Sequence, residues 1–349
     1  MGRAGSNQAA LDHFAVKRAF TGLSVRVRPV QATTQRSGLI GPPVSFAAAH
    51  CADGIPMTPT ARRNAVLLLV LLSLIWSYNW IVMKQVLRYS GPFEFAAWRY
   101  VLGTAVLFAA LRWRGISLRP PPLMPVIAIG LAQTLAFQAL VQLALVSGGA
   151  GKTALLAYTM PFWAVLVAWL VLRERPSRAQ WSSLAIALAG LLLVLEPWRG
   201  VGALGSALLA IAGGLAWAIG MVLSKRVFLR GGVGALSLTA WQMLAGSVGL
   251  VVVALCVPER PIAWTGAFIA ALAYNAVLAS GLAWLLWSYV VERLPTSVAG
   301  LSSLVVPILG VLFAWLLLHE VPSLMEAIGI ALLALALLVV GAWGGRRCG

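Results

Sequence analysis

From Ala65 onward, long apolar runs follow one another with only short polar breaks between them. Ten such runs lie at 65–83, 95–111, 123–146, 153–172, 179–195, 203–224, 235–257, 265–291, 296–318 and 324–343. The hydrocarbon core of a bilayer takes about 20 apolar residues of helix. Stretches such as 66–72 and 330–340 do not alternate, as the strands of a membrane barrel would. In lipid the backbone must then satisfy itself within each segment, so the runs are helices. The pattern predicts an all-α polytopic membrane protein with ten transmembrane helices.

Composition agrees. Hydrophobic residues make up 61% of the 349, and charged residues only 10%, where a soluble domain carries about 25%. A soluble globular protein is excluded. The 26 Lys and Arg against 9 Asp and Glu give net +17, a balance that suggests nucleic acid or an anionic surface. Their positions change that view. Fourteen of the basic residues from Arg62 onward fall in one alternate set of loops and flanks. Five (Lys84, Arg88, Lys152, Arg199 and Arg260) fall in the other. By the positive-inside rule both termini face the cytoplasm. The excess charge is therefore a topology signal, and no nucleic-acid partner is expected. The chain is expected in the plasma membrane (the bacterial inner membrane), with lipid and a small-molecule substrate as partners and a homodimer left open.

Residues 1–56 differ from the rest. They carry net +4, all fifteen Trp lie beyond Met57, and no Asp follows Asp53. Three readings stay open for this basic segment: an untranslated extension with Met57 as the start, a disordered cytoplasmic tail, or an organellar transit peptide. Cys51, Cys256 and Cys348 show no metal-ligand spacing and predict no disulfide framework.

Residues 161–177 read PFWAVLVAWLVLRERPS and residues 307–323 read PILGVLFAWLLLHEVPS, identical at ten of seventeen positions at an offset of 146. Shared Leu and Val carry little weight in apolar helices. The paired Pro161/Pro307, Trp169/Trp315, Glu174/Glu320 and Pro176/Pro322 carry more. Trp76…Lys84 has a weaker echo in Trp217…Lys225. The chain thus divides into a first five-helix repeat (62–196), a second (203–343) and a short cytoplasmic tail (344–349). Five is odd, so the copies enter the membrane from opposite sides. Inverted-topology repeats of this kind are used by secondary transporters, in which two related halves exchange conformations around a central site.

These features resemble the EamA-type family of the drug/metabolite transporter superfamily. The resemblance runs from about residue 62 to 343. It rests on two copies of Pro-x(12)-Glu-x-Pro (Pro161/Glu174/Pro176 and Pro307/Glu320/Pro322), on the Trp76–Lys84 stretch and on Arg99. His319 departs from it, standing where the first copy has Arg173. The resemblance implies a 5+5 inverted repeat of ten helices, termini inside, and transport of metabolites or drugs, often outward. The expected function is a secondary active exporter of a small organic metabolite such as an amino acid, working by alternating access. The alternative is a drug exporter or a sugar-phosphate or nucleotide-sugar carrier; a polytopic membrane enzyme or a scaffold ranks lower.

Candidate pathway residues follow from polarity inside apolar runs. Arg99 is a cation within a span, a functional signal by default, although it is close enough to the helix end to snorkel. If it binds substrate, it favours an anionic or carboxylate-bearing solute. Thr134, Gln138 and Gln142 recur at spacing four on helix 3 and form a polar stripe that lines a pathway or bonds neighbouring helices. Tyr78, Asn79, Tyr158, Trp163, Trp241, Gln242, Tyr274, Asn275, Ser280 and Trp284 combine an apolar body or stacking face with a polar group and are candidate walls, core packing being the competing reading. Pro161 and Pro307 should kink helices 4 and 9 at matching places. Glu174 and Glu320 are read as structural corners, and Glu326 as a first-turn carboxylate.

Other motifs fail. Gly148–Thr153 reads GGAGKT, but a phosphate loop needs glycine at position 146, which is Val146. Gly200, Gly202 and Gly205 match GxGxxG without a leading strand. His319 is the only His after residue 50, and no Asp remains in the membrane region. No metal, cofactor or catalytic residue is expected.

Overall fold

A computed structural model describes residues 59–172, 176, 178–195, 204–293 and 305–345. The chain separates into the units 1–54 and 55–349, and all the described residues lie in the second. The N-terminal segment 1–56, the corner at Glu174 and the residues from 346 on lie outside the described residues.

All regular structure among the described residues is helical. We number the helices α1 (Pro59–Val86), α2 (Pro92–Trp113), α3 (Leu123–Ser147), α4 (Ala150–Ala157 and Met160–Leu172), α5 (Arg178–Leu195), α6 (Leu204–Arg230), α7 (Ala235–Cys256), α8 (266–293), α9 (Val305–Leu318) and α10 (Leu324–Gly345). Six of them (α2, α3, α4, α6, α7 and α8) are long and apolar enough to cross a membrane. Shorter apolar stretches lie in α5, α9 and α10. Helix ends move relative to the apolar runs: α1 starts at Pro59 rather than near Ala65, and α10 continues to Gly345, into the expected tail. Backbone hydrogen bonding carries a helix past the last apolar side chain until a turn residue stops it. Gly115, at φ 65, does so after α2.

Many large apolar side chains are exposed, among them Leu170, Leu188, Leu255, Leu335 and Leu338. In a bilayer these face acyl chains, so the helices are apolar on both faces and differ only in what each face meets.

Helix pairing crosses between the two parts of the chain. α1 packs on α9 and α6 on α4; α2 packs on α8 and α7 on α3; α2 also meets α7, α4 meets α9 and α5 meets α10. Small residues make these approaches close. On α5 and α10, Gly190 and Gly329 each sit against the other's carbonyl, while Ser183 Oγ donates to the carbonyl of Ala336.

Two helices depart from α geometry. Gly130–Ala136 in α3 and Asn275–Leu282 in α8 are π-helical, a form that is rare and recurs at functional sites. α4 is interrupted at Tyr158–Thr159 and resumes at Met160, which puts Pro161 at its second position, where a missing N–H costs nothing. Pro307 is the third residue of α9 as described.

Candidate functional site

The centre of the bundle is an aromatic cluster. Trp76 of α1 and Trp217 of α6, the pair in the weaker sequence echo, meet edge to face with ring centroids 5.8 Å apart. Trp284 and Trp287 of α8 pack against both, at 5.3 to 5.9 Å. Phe137 and Tyr158 extend the cluster from Trp217 at 5.0 and 5.2 Å, and Trp80 reaches Tyr158. Trp76 Nε1 donates to the carbonyl of Ala279, whereas Trp217 Nε1 has no partner.

Arg99 stands beside this cluster and does not snorkel: it is 1% exposed. Its Nε donates to Ser280 Oγ at 3.1 Å and its guanidinium lies over the rings of Tyr100 (4.9 Å) and Phe95 (5.8 Å). Its Nη1 has no hydrogen-bond partner. No carboxylate pairs with it, and no other cation is buried, among the described residues. Tyr100 in turn accepts from Trp284 Nε1 at 3.1 Å and lies within reach of Gln138, which ties Arg99 to the aromatic cluster.

The helix 3 stripe divides. Thr134 Oγ1 donates to Gln242 Oε1 of α7 at 2.9 Å, an interhelical bond. Gln138 and Gln142 are buried, with Gln138 Oε1 and both amide atoms of Gln142 unpartnered. Buried amides in that condition cost several kcal/mol unless a ligand or water meets them. Asn275 keeps Nδ2 on the carbonyl of Ala271 and leaves Oδ1 free; Asn79 donates to Met83 Sδ and leaves Oδ1 free.

Not every candidate faces this centre. Tyr78 is 41% exposed and packs on Tyr274 and Phe313. Tyr274 is half-buried and donates its hydroxyl to the carbonyl of Ile75. Trp241 packs on Phe108, and the Nε1 atoms of Trp163 and Trp241 are unpartnered. Glu320 accepts from the backbone N–H of Ala150 and Gly151 at 2.9 and 3.1 Å. Glu326 and Ser323 cap α10 reciprocally, and Lys152 reaches Glu326 at 2.8 Å.

Thr134, Asn275 and Ser280 stand out in the sequence as single polar residues, but what surrounds them leaves no separate signal. The two π-helical segments are one case: the offset of 146 that relates Pro161 to Pro307 also carries Thr134 onto Ser280. Around them the packing repeats. The α2 backbone at Gly103 approaches Ser280 and the carbonyl of Ala276, and the α7 backbone at Gly246 approaches Thr134 and the carbonyl of Gly130. Between these contacts the hydroxyls of Thr104 and Ser247 share one hydrogen bond at 3.1 Å.

The sequence model of the EamA-like transporter family matches twice, at residues 63–196 and 204–342. The chain is 28% identical over 258 residues (72% of this chain, 88% of the relative) to the uncharacterized transporter YoaV of Bacillus subtilis. It is 26% identical over 296 residues (82% and 97%) to a probable amino-acid metabolite efflux pump of Salmonella typhimurium. Identity is also 26%, over 275 residues (77% and 89%), to the uncharacterized inner membrane transporter YedA of Escherichia coli K12. A crystal structure of another protein, 24% identical, superimposes with a TM-score of 0.62 over 82% of this chain and 99% of its own, a likeness of fold.

Proposed function

The chain belongs to the EamA-like transporter family, and we propose that it is a secondary active exporter of a small carboxylate-bearing metabolite, such as an amino acid, in a bacterial inner membrane. It is a multi-pass membrane transporter rather than an enzyme. The finer reading is ten spanning helices in two inverted five-helix repeats, both termini cytoplasmic, with alternating access between the halves. The double family match supports it. So does the reciprocal packing of α1 on α9 with α6 on α4, and of α2 on α8 with α7 on α3.

One observation carries the substrate class. Arg99 is wholly buried, no acid pairs with it among the described residues, and one guanidinium nitrogen is left free beside an aromatic wall that Gln138 reaches through Tyr100. A solute with a carboxylate and an apolar body fits that chemistry. A sugar phosphate calls for more cations than one. Outward transport is supported by the relative named as an efflux pump.

Flux of a solute panel in liposomes tests this, comparing the wild type with Arg99→Leu and Gln138→Leu. Carboxylate-bearing solutes should move, and the Arg99 variant should lose them while remaining folded. Unimpaired flux in that variant ends the carboxylate assignment. No flux of amino acids, nucleobases, sugars or cationic drugs ends the transporter mechanism.

A further inference from the structure

At the end of the bundle where α2 and α4 begin, two carboxylates from the second half of the chain cap helices of the first. Glu259 accepts from the N–H groups of Phe93 and Glu94 at 3.0 and 2.8 Å. Glu320 does the same at Ala150 and Gly151. The glycine run that imitates a phosphate loop thus does hold an anion at a helix N-terminus, and the anion is the chain's own Glu320. Gly149 has φ −70 and ψ 149, a backbone any residue adopts. Space is what it supplies, since a Cβ there would lie 2.9 Å from Glu320 Oε2.

Behind the carboxylate, α4 and α9 meet through small side chains. Gly151 lies against Ala314 and Val311, and Ala154 beside Gly310. This seam leads to Trp80, then through Tyr158 to the aromatic centre. In front of it is a cleft of about 300 Å³ whose lining includes Glu320, Arg88 and Lys84. Lys84 Nζ is engaged by the carbonyls of Leu145 and Gly148 at 2.7 and 2.8 Å.

We propose that Glu320 is the latch of a gate formed by α4 and α9. Its two charge-assisted bonds hold the end of α9 on the start of α4. When they break, the helices part along a seam with few interlocking side chains, and the cleft extends inward to the aromatic centre. This rests on the reading of the bundle as an alternating-access transporter.

The test uses full-length protein with Cys51 and Cys348 replaced by Ser and with Ala154→Cys on the seam. Cys256, exposed at the end of α7, marks the latch face. A membrane-impermeant maleimide is applied to each face in turn, and both sites are read by mass spectrometry. On the face that labels Cys256, Glu320→Gln and Gly149→Ala should each speed labelling at position 154 by about tenfold, the population shift expected for losing about one charge-assisted bond. Gly149→Ala leaves the carboxylate in place, so it keeps the test valid if the Glu320 variant does not fold. Unchanged labelling in folded variants, or acceleration on the opposite face alone, overturns the latch. Faster labelling in a protein that moves no solute would leave the gate standing and remove the transport reading beneath it.

Discussion

The contact of α2 with α8 and the contact of α7 with α3 are built alike and charged differently. In the first, Gly103 lets α2 approach the π-helical segment of α8, and Arg99 donates to Ser280. In the second, Gly246 lets α7 approach the π-helical segment of α3, and Gln242 accepts from Thr134. Each of the paired positions on α2 and α7 is 143 apart in sequence. A neutral amide and a hydroxyl are therefore enough to join helices in this geometry. A guanidinium is not needed for such a joint, and burying that of Arg99 costs several kcal/mol in the absence of an acid, offset only in part by the rings of Tyr100 and Phe95. On the proposed function, the difference between the two contacts is the charge that would meet the substrate carboxylate.

The most decisive change makes the first contact resemble the second. Arg99→Gln keeps a polar group for Ser280 and removes the charge. Flux of a carboxylate-bearing solute in liposomes should fall about 100-fold, corresponding to about 2.7 kcal/mol for a lost buried charge interaction. The melting temperature in detergent should hold or rise, because an unpaired buried cation has gone. A fall in stability with flux intact would make Arg99 structural and erase the contrast.

Next come the shared close approaches. Gly103→Ala and Gly246→Ala each push a methyl into the facing π-helical segment. Overpacking of that kind costs about 1–3 kcal/mol, read as a lower melting temperature for both variants and a larger drop for Gly246→Ala, whose methyl would meet Thr134 and the Gly130 carbonyl more closely than that of Gly103→Ala meets Ser280 and Ala276. A large loss at one glycine with none at the other would show that the contacts are not equivalent. Gln242→Leu is gentler. It removes one interhelical bond worth about 1 kcal/mol and leaves Thr134 able to bond its own helix. Stability should drop slightly and flux should change less than about threefold, against the large effect expected at Arg99.

The comparison also separates what was legible in the sequence from what was not. The apolar runs were legible because lipid as a solvent dictates both helix and length. Arg99 stood out because a cation in an apolar run has no cheap explanation. The π-helical segments left no such mark. Gly130–Ala136 and Asn275–Leu282 contain ordinary helix formers, and their shape goes with the close approach of Gly246 and Gly103 from other helices. Glu259 and Glu320 could not be matched to their helix ends by local pattern, since each lies about 170 residues from the N–H groups it accepts. Tyr78 shows the same limit in reverse: spacing along one helix gives its angle on that helix, and only the neighbours decide which angle faces inward.

The smallest expected effect probes the axis between the two contacts. Thr104 and Ser247 follow Gly103 and Gly246 and meet each other at 3.1 Å. They are matched at the same offset of 143 as Arg99 and Gln242, so on the proposed inverted repeat they mark the axis that relates the two contacts. Ser247 also donates to the carbonyl of Met243, so its hydroxyl keeps a partner when Thr104 is truncated. A double-mutant cycle with Thr104→Ala and Ser247→Ala, read by thermal unfolding, should therefore give a coupling of only about 0.6 kcal/mol, the ordinary value for hydroxyls between membrane helices. The same cycle read by flux is the sharper measurement. If the proposed alternating access rocks one half against the other about this axis, both hydroxyls stay in contact throughout, and flux should change by less than about twofold. A coupling in flux well above the coupling in stability would mean that the pair breaks during transport, and the axis would then have to be sought elsewhere.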